Sequence, residues 1–389
     1  MLHVTSATVH LDALRHNALA VRALVGDRAV LVPVKADAYG HGAVPVARFL
    51  EAEHLADWLG VATAPEAIAL REAGVTLPIL KMSLSFANEL PALLALPNVS
   101  LTVADQCTIE QAEAAAAAAN TICQVHLAID TGMRRIGCWS ADALATARHI
   151  AASPHLNLQG IGTHLPISDV ADDGGFTATE LAEFRDVVAT IQTARDQDGQ
   201  PRVPFVHGAN SGAVLGHDLG WTTMVRPGIM IYGYYPDATT PRPVELHPVM
   251  SLTSQVAFVK RVAAGDTVSY GRTWTAPRDT WIATVPVGYA DGFSRLNSNR
   301  GAMLVNGRRC PVAGRVCMDF TMVDLGPANE APAKVGDVVT WLGSDGDQAI
   351  TADDVAQIMG TISYEVLCLA GPRVPRHYVD DWGSPRSTE

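Results

Sequence analysis

A single lysine stands at the end of an apolar segment, directly before a turn that contains two glycines. Residues 29–34 read Ala-Val-Leu-Val-Pro-Val, and Lys35 opens the sequence Lys-Ala-Asp-Ala-Tyr-Gly-His-Gly. An apolar run of this length predicts a parallel strand that is covered on both faces. Partial burial lowers the pKa of a lysine ammonium, which makes the neutral amine available for Schiff-base chemistry with an aldehyde.

The alternative interpretation is a lysine whose charged end simply reaches solvent, and Lys35 alone does not exclude it. Its neighbours change the balance. Tyr39 supplies a phenol, while Gly40 and Gly42 allow backbone amides to approach a phosphate closely. These neighbours favour a chemically reactive lysine.

Further polar residues stand where other predicted strands end. Arg135 follows the fifth strand, His164 ends the sixth, Asn210 and Ser211 follow the seventh, and Arg226 lies at the eighth. Individually these residues have ordinary explanations, such as a surface ion pair for the arginine, a core histidine or a helix N-cap. Because the carboxyl ends of barrel strands share one face, the whole set favours a functional site.

Eight short apolar strands alternate with amphipathic segments between residue 29 and about residue 235, which predicts a (β/α)8 barrel. No Gly-x-Gly-x-x-Gly follows the first strand, which weakens a dinucleotide fold. The alanine-rich segment Thr108 to Asn120 predicts an outer helix. After residues 236–241 the pattern becomes β-rich, so we expect a barrel domain at 12–243 and a mostly β domain at 244–389. The predicted strands are 29–34, 58–62, 77–80, 99–103, 122–129, 156–163, 203–206 and 223–225.

Composition limits the class of protein. The 389 residues carry a net charge of −12 and no basic block, so nucleic acid is not an expected partner. Six scattered cysteines show no metal-site spacing, and we expect reduced thiols and no metal. No apolar run reaches the ~18 residues of a membrane span, and no signal sequence opens the chain. We therefore expect a cytoplasmic protein without a membrane segment.

The motifs together resemble those of alanine racemases. Residues 34–42 are similar to the pyridoxal phosphate attachment signature of that family, which usually has asparagine where this chain has Asp37. Further motifs follow in the family's order over nearly the whole chain. They are residues 130–137, 163–164, 209–211, 226–229, 269–272, 288–292, 316–319 and 362–365.

The resemblance implies pyridoxal 5'-phosphate as cofactor and a reaction that interconverts L- and D-alanine through two bases. Lys35 would hold the cofactor and serve one face of the substrate, and Tyr270 of a second subunit would serve the other. The enzyme would then be a homodimer with shared active sites, in which strand 1–11 joins the β domain. His164 and Arg226 would supply positive charge, and Arg226 would also donate to the pyridine nitrogen.

The resemblance assigns three further groups of residues. The phosphate and ring of the cofactor would be bound by Tyr39, His164, Asn210, Ser211, Arg226, Gly228, Ile229 and Tyr364. Arg135 and the backbone amide of Met318 would take the substrate carboxylate. Tyr289, Arg295 and Asp169 would line the access corridor.

Three residues depart from the family's pattern near the predicted substrate end. Ala128 stands where many members have a carbamylated lysine that braces the carboxylate-binding arginine. We therefore expect another anion, such as chloride or a nearby carboxylate, to hold Arg135. Arg134 replaces a usual glycine, and Pro166 follows His164 closely.

These departures leave other functions open. A racemase of serine or of several amino acids is the nearest alternative, because one side-chain volume in the pocket is worth only about 1–3 kcal/mol of discrimination. A non-catalytic pyridoxal phosphate-binding protein or a fold-related decarboxylase is less compatible with the motif around Tyr270.

Overall fold

The computed structural model describes residues 4–380 and contains two compact units. One comprises residues 15–38 and 42–247, and the other comprises residues 4–14, 39–41 and 248–380. The ends of the predicted domains, residues 1–3 and 381–389, lie outside the described residues.

The strands and helices are numbered here in chain order. The strands are β1 Ser6–His10, β2 Ala29–Pro33, β3 Trp58–Val61, β4 Ile79–Lys81, β5 Val99–Val103, β6 Cys123–Asp130, β7 Cys138–Trp139, β8 Leu156–Gly162, β9 Phe205–His207, β10 Met224–Val225, β11 Met250–Gln255, β12 Phe258–Val262, β13 Thr267–Val268, β14 Trp274–Thr275, β15 Thr280–Val285, β16 Ala302–Val305, β17 Arg308–Pro311, β18 Thr321–Gly326, β19 Val338–Asp345, β20 Gln348–Ile350 and β21 Arg376–Val379. The helices are α1 Leu11–Val25, α2 Lys35–Tyr39, α3 Ala43–Ala52, α4 Ala64–Glu72, α5 Leu90–Leu94, α6 Gln106–Ala118, α7 Ala143–Ala152, α8 Phe176–Gln197, α9 Ser211–Gly216, α10 Ala352–Met359 and α11 Ser363–Cys368.

Eight parallel strands close into a barrel in the first unit. Their order is β2, β3, β4, β5, β6, β8, β9 and β10, and β10 pairs with β2. Each coincides with a predicted apolar segment to within about two residues, so the predicted barrel is confirmed. The apolar pattern of these segments was clear in the sequence. Helices cover the outer face of such a barrel and packed side chains fill its interior, so neither face of a strand favours polar residues.

The predicted alanine-rich helix is also confirmed, as α6. It begins after Asp105, whose carboxylate accepts a hydrogen bond from the Thr108 amide at 2.8 Å. Inside the barrel, the side chains of Leu31, Trp58, Leu80 and Met224 form an apolar cluster.

The second unit is mostly β-structure, as predicted. Its main sheet has the order β17, β16, β19, β11, β1 and β21, with β20 beside β19, and a separate sheet contains β12, β15 and β18. Strand β17 ends at Pro311, which has no amide hydrogen to continue the ladder. Among residues 4–380, every helix is too short or too polar to cross a membrane.

Candidate active site

The segment that carries Lys35 forms one turn of left-handed helix. Ala36, Asp37, Ala38 and Tyr39 have φ between 51° and 55°, a region that costs L-residues roughly 1–2 kcal/mol each. Aspartate tolerates this region better than most residues, which suits position 37. Strained backbone of this kind concentrates at functional sites, where the surrounding structure holds it in place. The turn therefore fixes the direction in which the chain leaves Lys35.

Glu66 holds this turn from the neighbouring helix. Its carboxylate accepts hydrogen bonds from the amides of Ala36 at 2.7 Å and Ala62 at 2.7 Å. It also completes a capping box with Thr63 at the start of α4. One carboxylate thus links the Lys35 turn to the end of β3. The sequence analysis missed Glu66, although Thr63-Ala-Pro-Glu66 is a recognisable capping-box signature.

Three cationic side chains surround His164. Burial lowers the pKa of this histidine to about 3, and the positive charges of Arg226, Arg135 and Lys35 lower it further. His164 is therefore neutral near pH 7, and the expectation that it supplies positive charge is wrong. The barrel unit nevertheless brings three of the predicted site residues together as cations, which suits a ligand with anionic groups.

Arg226 is buried and tightly held. Its guanidinium contacts Nδ1 of His207 at 2.5 Å and donates to the carbonyl oxygen of Thr163 at 2.7 Å. It also lies 3.3 Å from Nδ1 of His164. Burial lowers the pKa of Arg226 to about 10, so the guanidinium stays charged near neutrality. It can donate hydrogen bonds there but cannot readily give up a proton.

Behind Arg226, two imidazoles continue the hydrogen-bonded chain through the barrel. His207 Nε2 lies 2.9 Å from His126 Nδ1, and the His126 ring packs against Trp58 at 5.6 Å between centroids. Burial lowers the pKa of both histidines far below the usual range. Neutral rings can accept from a guanidinium, so this chain orients Arg226 without competing for its charge.

Two glycines in β8 make room for these rings. A Cβ at Gly160 would lie 2.3 Å from His126 Nδ1, and a Cβ at Gly162 would lie 2.2 Å from His207 Cε1. Any larger residue would displace the imidazoles. The sequence analysis missed His126 and His207, because histidines inside strands carry no motif. The alternation of Gly160 and Gly162 was the available signal for bulky interior neighbours.

Ser211 and Asn210 lie at the start of α9. The Ser211 hydroxyl accepts from the Gly228 amide at 2.8 Å, which ties α9 to the segment that continues through Ile229. The Asn210 side chain caps α9, because its oxygen accepts from the Ala213 amide at 3.1 Å. That oxygen also accepts from the Ser168 hydroxyl, so the Asn210 side chain is already occupied by structural hydrogen bonds.

Tyr39 and Tyr364 lie together in the other unit, with ring centroids 6.0 Å apart. Burial raises the pKa of Tyr39 well above its usual value, so its phenol stays neutral and can donate a hydrogen bond. Gly40 has a different role from the phosphate contact expected from the sequence. A Cβ there would lie 2.3 Å from the Leu367 carbonyl oxygen, so glycine is required for packing against α11.

Arg135 follows a turn that Asp130 organises. The Asp130 carboxylate accepts from the amides of Gly132 at 3.0 Å and Arg134 at 3.1 Å. Arg134 has φ of 56°, which explains why glycine would suit this position. Its guanidinium lies 3.5 Å from Asp130 and 4.6 Å from the centre of the Trp139 ring, contacts that offset the strained backbone.

Arg135 itself is exposed and has no ion pair or hydrogen bond within residues 4–380. Ala128 lies two residues before Asp130 in β6, and its side chain is only a methyl group. Asp169 lies in the 166–175 connection, where its backbone packs against Gly212 of α9 and its carbonyl accepts from the Thr240 hydroxyl at 2.7 Å. Pro166 is exposed in the same connection.

Three predicted site residues of the β-rich unit are exposed. The exposed fraction is 69% for Tyr270, 52% for Met318 and 43% for Tyr289. Tyr289 and Met318 are nevertheless held together, because the Tyr289 amide donates to the Cys317 carbonyl at 3.1 Å. Arg295, also exposed, opens a short helical turn at 295–297.

A buried carboxylate anchors this part of the β-rich unit, and the sequence analysis gave it no role. Asp291 is fully buried and accepts from Arg373 at 2.8 Å and from the Gly288 amide at 2.9 Å. Arg373 also donates to Asp319, the residue after Met318, at 2.8 Å. One arginine therefore ties both motifs together.

A closed parallel barrel that gathers a lysine and two arginines around a neutral histidine defines an enzyme fold suited to an anionic aldehyde cofactor. The donor set fits pyridoxal phosphate in particular. It offers a strand-end lysine, a charged buried guanidinium and helix-start amides.

Comparison with known proteins gives the family. Residues 9–236 match the alanine racemase N-terminal domain, and residues 249–378 match the alanine racemase C-terminal domain. The chain is 48% identical to an alanine racemase of Cutibacterium acnes over 374 residues, which covers 96% of this chain and 97% of the relative. It is 39% identical to an alanine racemase of Desulfovibrio desulfuricans over 378 residues, covering 96% and 98%.

The chain also superposes on solved structures of racemases. An alanine racemase of Clostridium difficile 630 superposes with a TM-score of 0.88 at 34% identity, covering 97% of this chain and 96% of that one. A histidine racemase of Leuconostoc mesenteroides superposes with a TM-score of 0.86 at 27% identity, covering 97% and 98%.

The chain belongs to the alanine racemase family. It is a pyridoxal phosphate-dependent isomerase that interconverts L-alanine and D-alanine.

Proposed function

We propose that Lys35 and Tyr270 are the two bases of this racemase, one for each face of the substrate. The strained turn after Lys35 supports the first assignment, since it fixes the lysine in a region that also contains the cationic side chains of Arg135 and Arg226. The exposed phenol of Tyr270 supports the second, because a residue that serves another surface must be accessible. The cofactor, when bound, acidifies the Cα proton, and the protein's bases remove and return it.

Arg226 would donate a hydrogen bond to the pyridine nitrogen. Its charge and its hydrogen bonds to His207 and Thr163 support this role. Because a guanidinium retains its proton, the ring nitrogen would stay unprotonated. Such a nitrogen withdraws fewer electrons, which disfavours side reactions such as transamination.

The phosphate would be bound by neutral donors. The Tyr39 phenol, the Tyr364 phenol, the Ser211 hydroxyl and amides near Gly228 and Ile229 are the groups we assign, while Asn210 would shape the loop as the cap of α9. Arg135 and the Met318 amide would bind the substrate carboxylate. Tyr289, Arg295 and Asp169 would line the access corridor.

The active enzyme would be a homodimer in which each site takes Tyr270 and Met318 from the partner chain. The single observation that carries this proposal is the exposure of both side chains, 69% and 52%, on a fold with a large core. Large apolar side chains at a protein surface mark interaction sites when they cluster.

Mixing two inactive variants tests the shared site and both bases. Lys35→Ala and Tyr270→Phe homodimers should each lose nearly all racemisation. When the two are mixed and allowed to exchange subunits, a heterodimer contains one site with both residues intact. About half of the molecules should be heterodimers, so activity should return to roughly a quarter of the wild-type value.

An unmixed control at the same total concentration sets the baseline. Activity that stays at this baseline after proven subunit exchange would show that both residues act within one chain. Product analysis with L-alanine in deuterated water adds a second criterion. Tyr270→Phe should lose Cα exchange with one enantiomer much more than with the other.

The proposed domain boundaries are residues 12–243 for the barrel and 244–389 for the β domain, joined by residues 1–11. We also propose that the product D-alanine serves peptidoglycan synthesis. A cytoplasmic location stays a prediction from the sequence.

A further inference from the structure

Glu180 is a buried carboxyl group that the reaction described above does not use. It lies in the first turns of α8 and is 2% exposed. Neither carboxyl oxygen has a hydrogen-bond partner within residues 4–380. A buried polar group without a partner is costly, so its presence in a folded enzyme requires an explanation.

The carboxyl group lies directly against the turn that leads to Arg135. A Cβ at Gly132 would be 1.9 Å from Glu180 Oε1, so only glycine leaves room for it. The Phe176 ring lies 3.1 Å from the same position. Glu180 therefore fills the space behind the Asp130 to Gly137 turn.

The charged groups around Glu180 differ in sign. Burial is the largest effect and raises its pKa to about 7, and the carboxylates of Asp130 and Glu183 raise it further. The Thr131 hydroxyl and the Arg134 guanidinium lower it. The Thr131 oxygen also lies 2.8 Å from the Thr163 hydroxyl.

We propose that Glu180 is a positioning residue for Arg135. It supports the turn from behind, whereas Arg135 itself has no ion-pair partner within residues 4–380 and Ala128 contributes no charge. This inference rests on the proposed function, in which Arg135 binds the substrate carboxylate.

Ionisation of Glu180 would weaken this support. The turn would then hold two buried like charges, Asp130 and Glu180, opposed by the half-exposed Arg134. Like charges at close range repel, so the turn should open and Arg135 should be held less well. The KM for alanine should rise as pH increases through about 7, while kcat changes little, because Lys35 and Tyr270 are elsewhere.

The test compares wild-type holoenzyme with Glu180→Gln from pH 5.5 to 8.5. Glutamine has the shape of the neutral acid and cannot ionise, so its KM should lack this rise. The ratio of wild-type to variant KM cancels the titration of alanine and of the cofactor. We expect it to increase from near one to about three- to tenfold. Asp186→Asn is the matched control, an exposed carboxylate on the same helix, and it should leave the pH profile unchanged.

Acetate provides a second measurement that does not depend on turnover. Its dissociation constant from the wild-type holoenzyme, measured by calorimetry, should rise through pH 7 by a similar factor. A flat wild-type profile would overturn the proposal even if Glu180→Gln failed to fold.

Arg135→Gln separates this inference from the proposed function. If that variant left the alanine KM unchanged, the carboxylate-binding role of Arg135 would be wrong. If it raised KM strongly while the wild-type to Glu180→Gln ratio stayed flat with pH, Arg135 would keep its role. The positioning role of Glu180 would then be rejected.

Discussion

Arg226 of the barrel unit and the pair Tyr270 and Met318 of the β-rich unit are presented in opposite ways. In the barrel, Arg226 is 8% exposed and hydrogen-bonded to His207 and to a backbone carbonyl. In the β-rich unit, Tyr270 and Met318 are 69% and 52% exposed. Arg226 is thus oriented by its own chain, whereas Tyr270 and Met318 are oriented toward solvent.

This difference in exposure fits two different roles in the proposed site. Groups that hold a cofactor must be fixed before it binds, because preorganisation lowers the cost of binding. Groups that complete a site from another subunit must remain accessible until the subunits associate. The backbone beneath Met318 is nevertheless anchored, through Asp291 and Arg373, so accessibility does not mean that the position is loose.

Removing Lys35 should have the largest effect on activity, and it should affect only the part of the site that the barrel unit supplies. Lys35→Ala should lose the absorbance of covalently held cofactor and at least about 10⁴-fold of racemisation, since attachment and one base are lost together. The proposed homodimer, measured by sedimentation, should persist. Lys260→Ala, an exposed lysine of β12, serves as control. Retained absorbance in Lys35→Ala would refute the attachment site.

Acid should destabilise the barrel unit through its buried histidines. The pKa values of His126 and His164 are lowered to about 3, while the unfolded values lie near 6.5. The unfolded chain therefore binds more protons, and stability falls as pH decreases from about 6.5 toward 3. The slope is up to about 1.4 kcal/mol per pH unit for each histidine.

Hydrogen exchange during acid titration can locate this loss. Barrel strands should lose protection first, and His126→Gln should move their midpoint to lower pH. His54→Asn, at an exposed position, should not. If the β-rich unit lost protection at a higher pH than the barrel strands, the expectation that acid destabilises the barrel first would be wrong.

Neutralising Asp291 should weaken the β-rich unit. Asp291→Asn removes a buried charge that Arg373 and the Gly288 amide bind, at a cost of about 1–3 kcal/mol in the free energy of unfolding. Urea denaturation measures it. Asp319→Asn, at the half-exposed partner of the same arginine, should cost less than about 1 kcal/mol. Equal costs would mean that the anchor is not specific to Asp291.

The smallest effect is expected at Arg134. Arg134→Gly relieves a positive φ, worth about 1–2 kcal/mol, but loses the contacts with Asp130 and Trp139, together worth a similar amount. The free energy of unfolding should change by less than about 0.5 kcal/mol. Arg134→Gly combined with Trp139→Ala, against each single variant, isolates the ring contact. A loss above about 1.5 kcal/mol would show that this contact dominates.

The barrel was predictable from the sequence because its strands are short and mostly apolar, and motif order assigned the positions around Lys35, Arg135 and Arg226. The protonation state of His164 was not predictable, because it depends on burial and on cations distant in the chain. The histidine pair behind Arg226 was equally hidden, since only the closed barrel brings β6 and β9 residues into contact.

The left-handed turn at 36–39 also restricts how this enzyme can vary. β-branched residues are strongly disfavoured at positive φ, so Ala36 and Ala38 can be exchanged for glycine or asparagine far more readily than for valine or threonine. Random mutagenesis around Lys35 should therefore yield few active sequences. Both the backbone conformation and the chemistry of this segment limit which residue types can be introduced here by design.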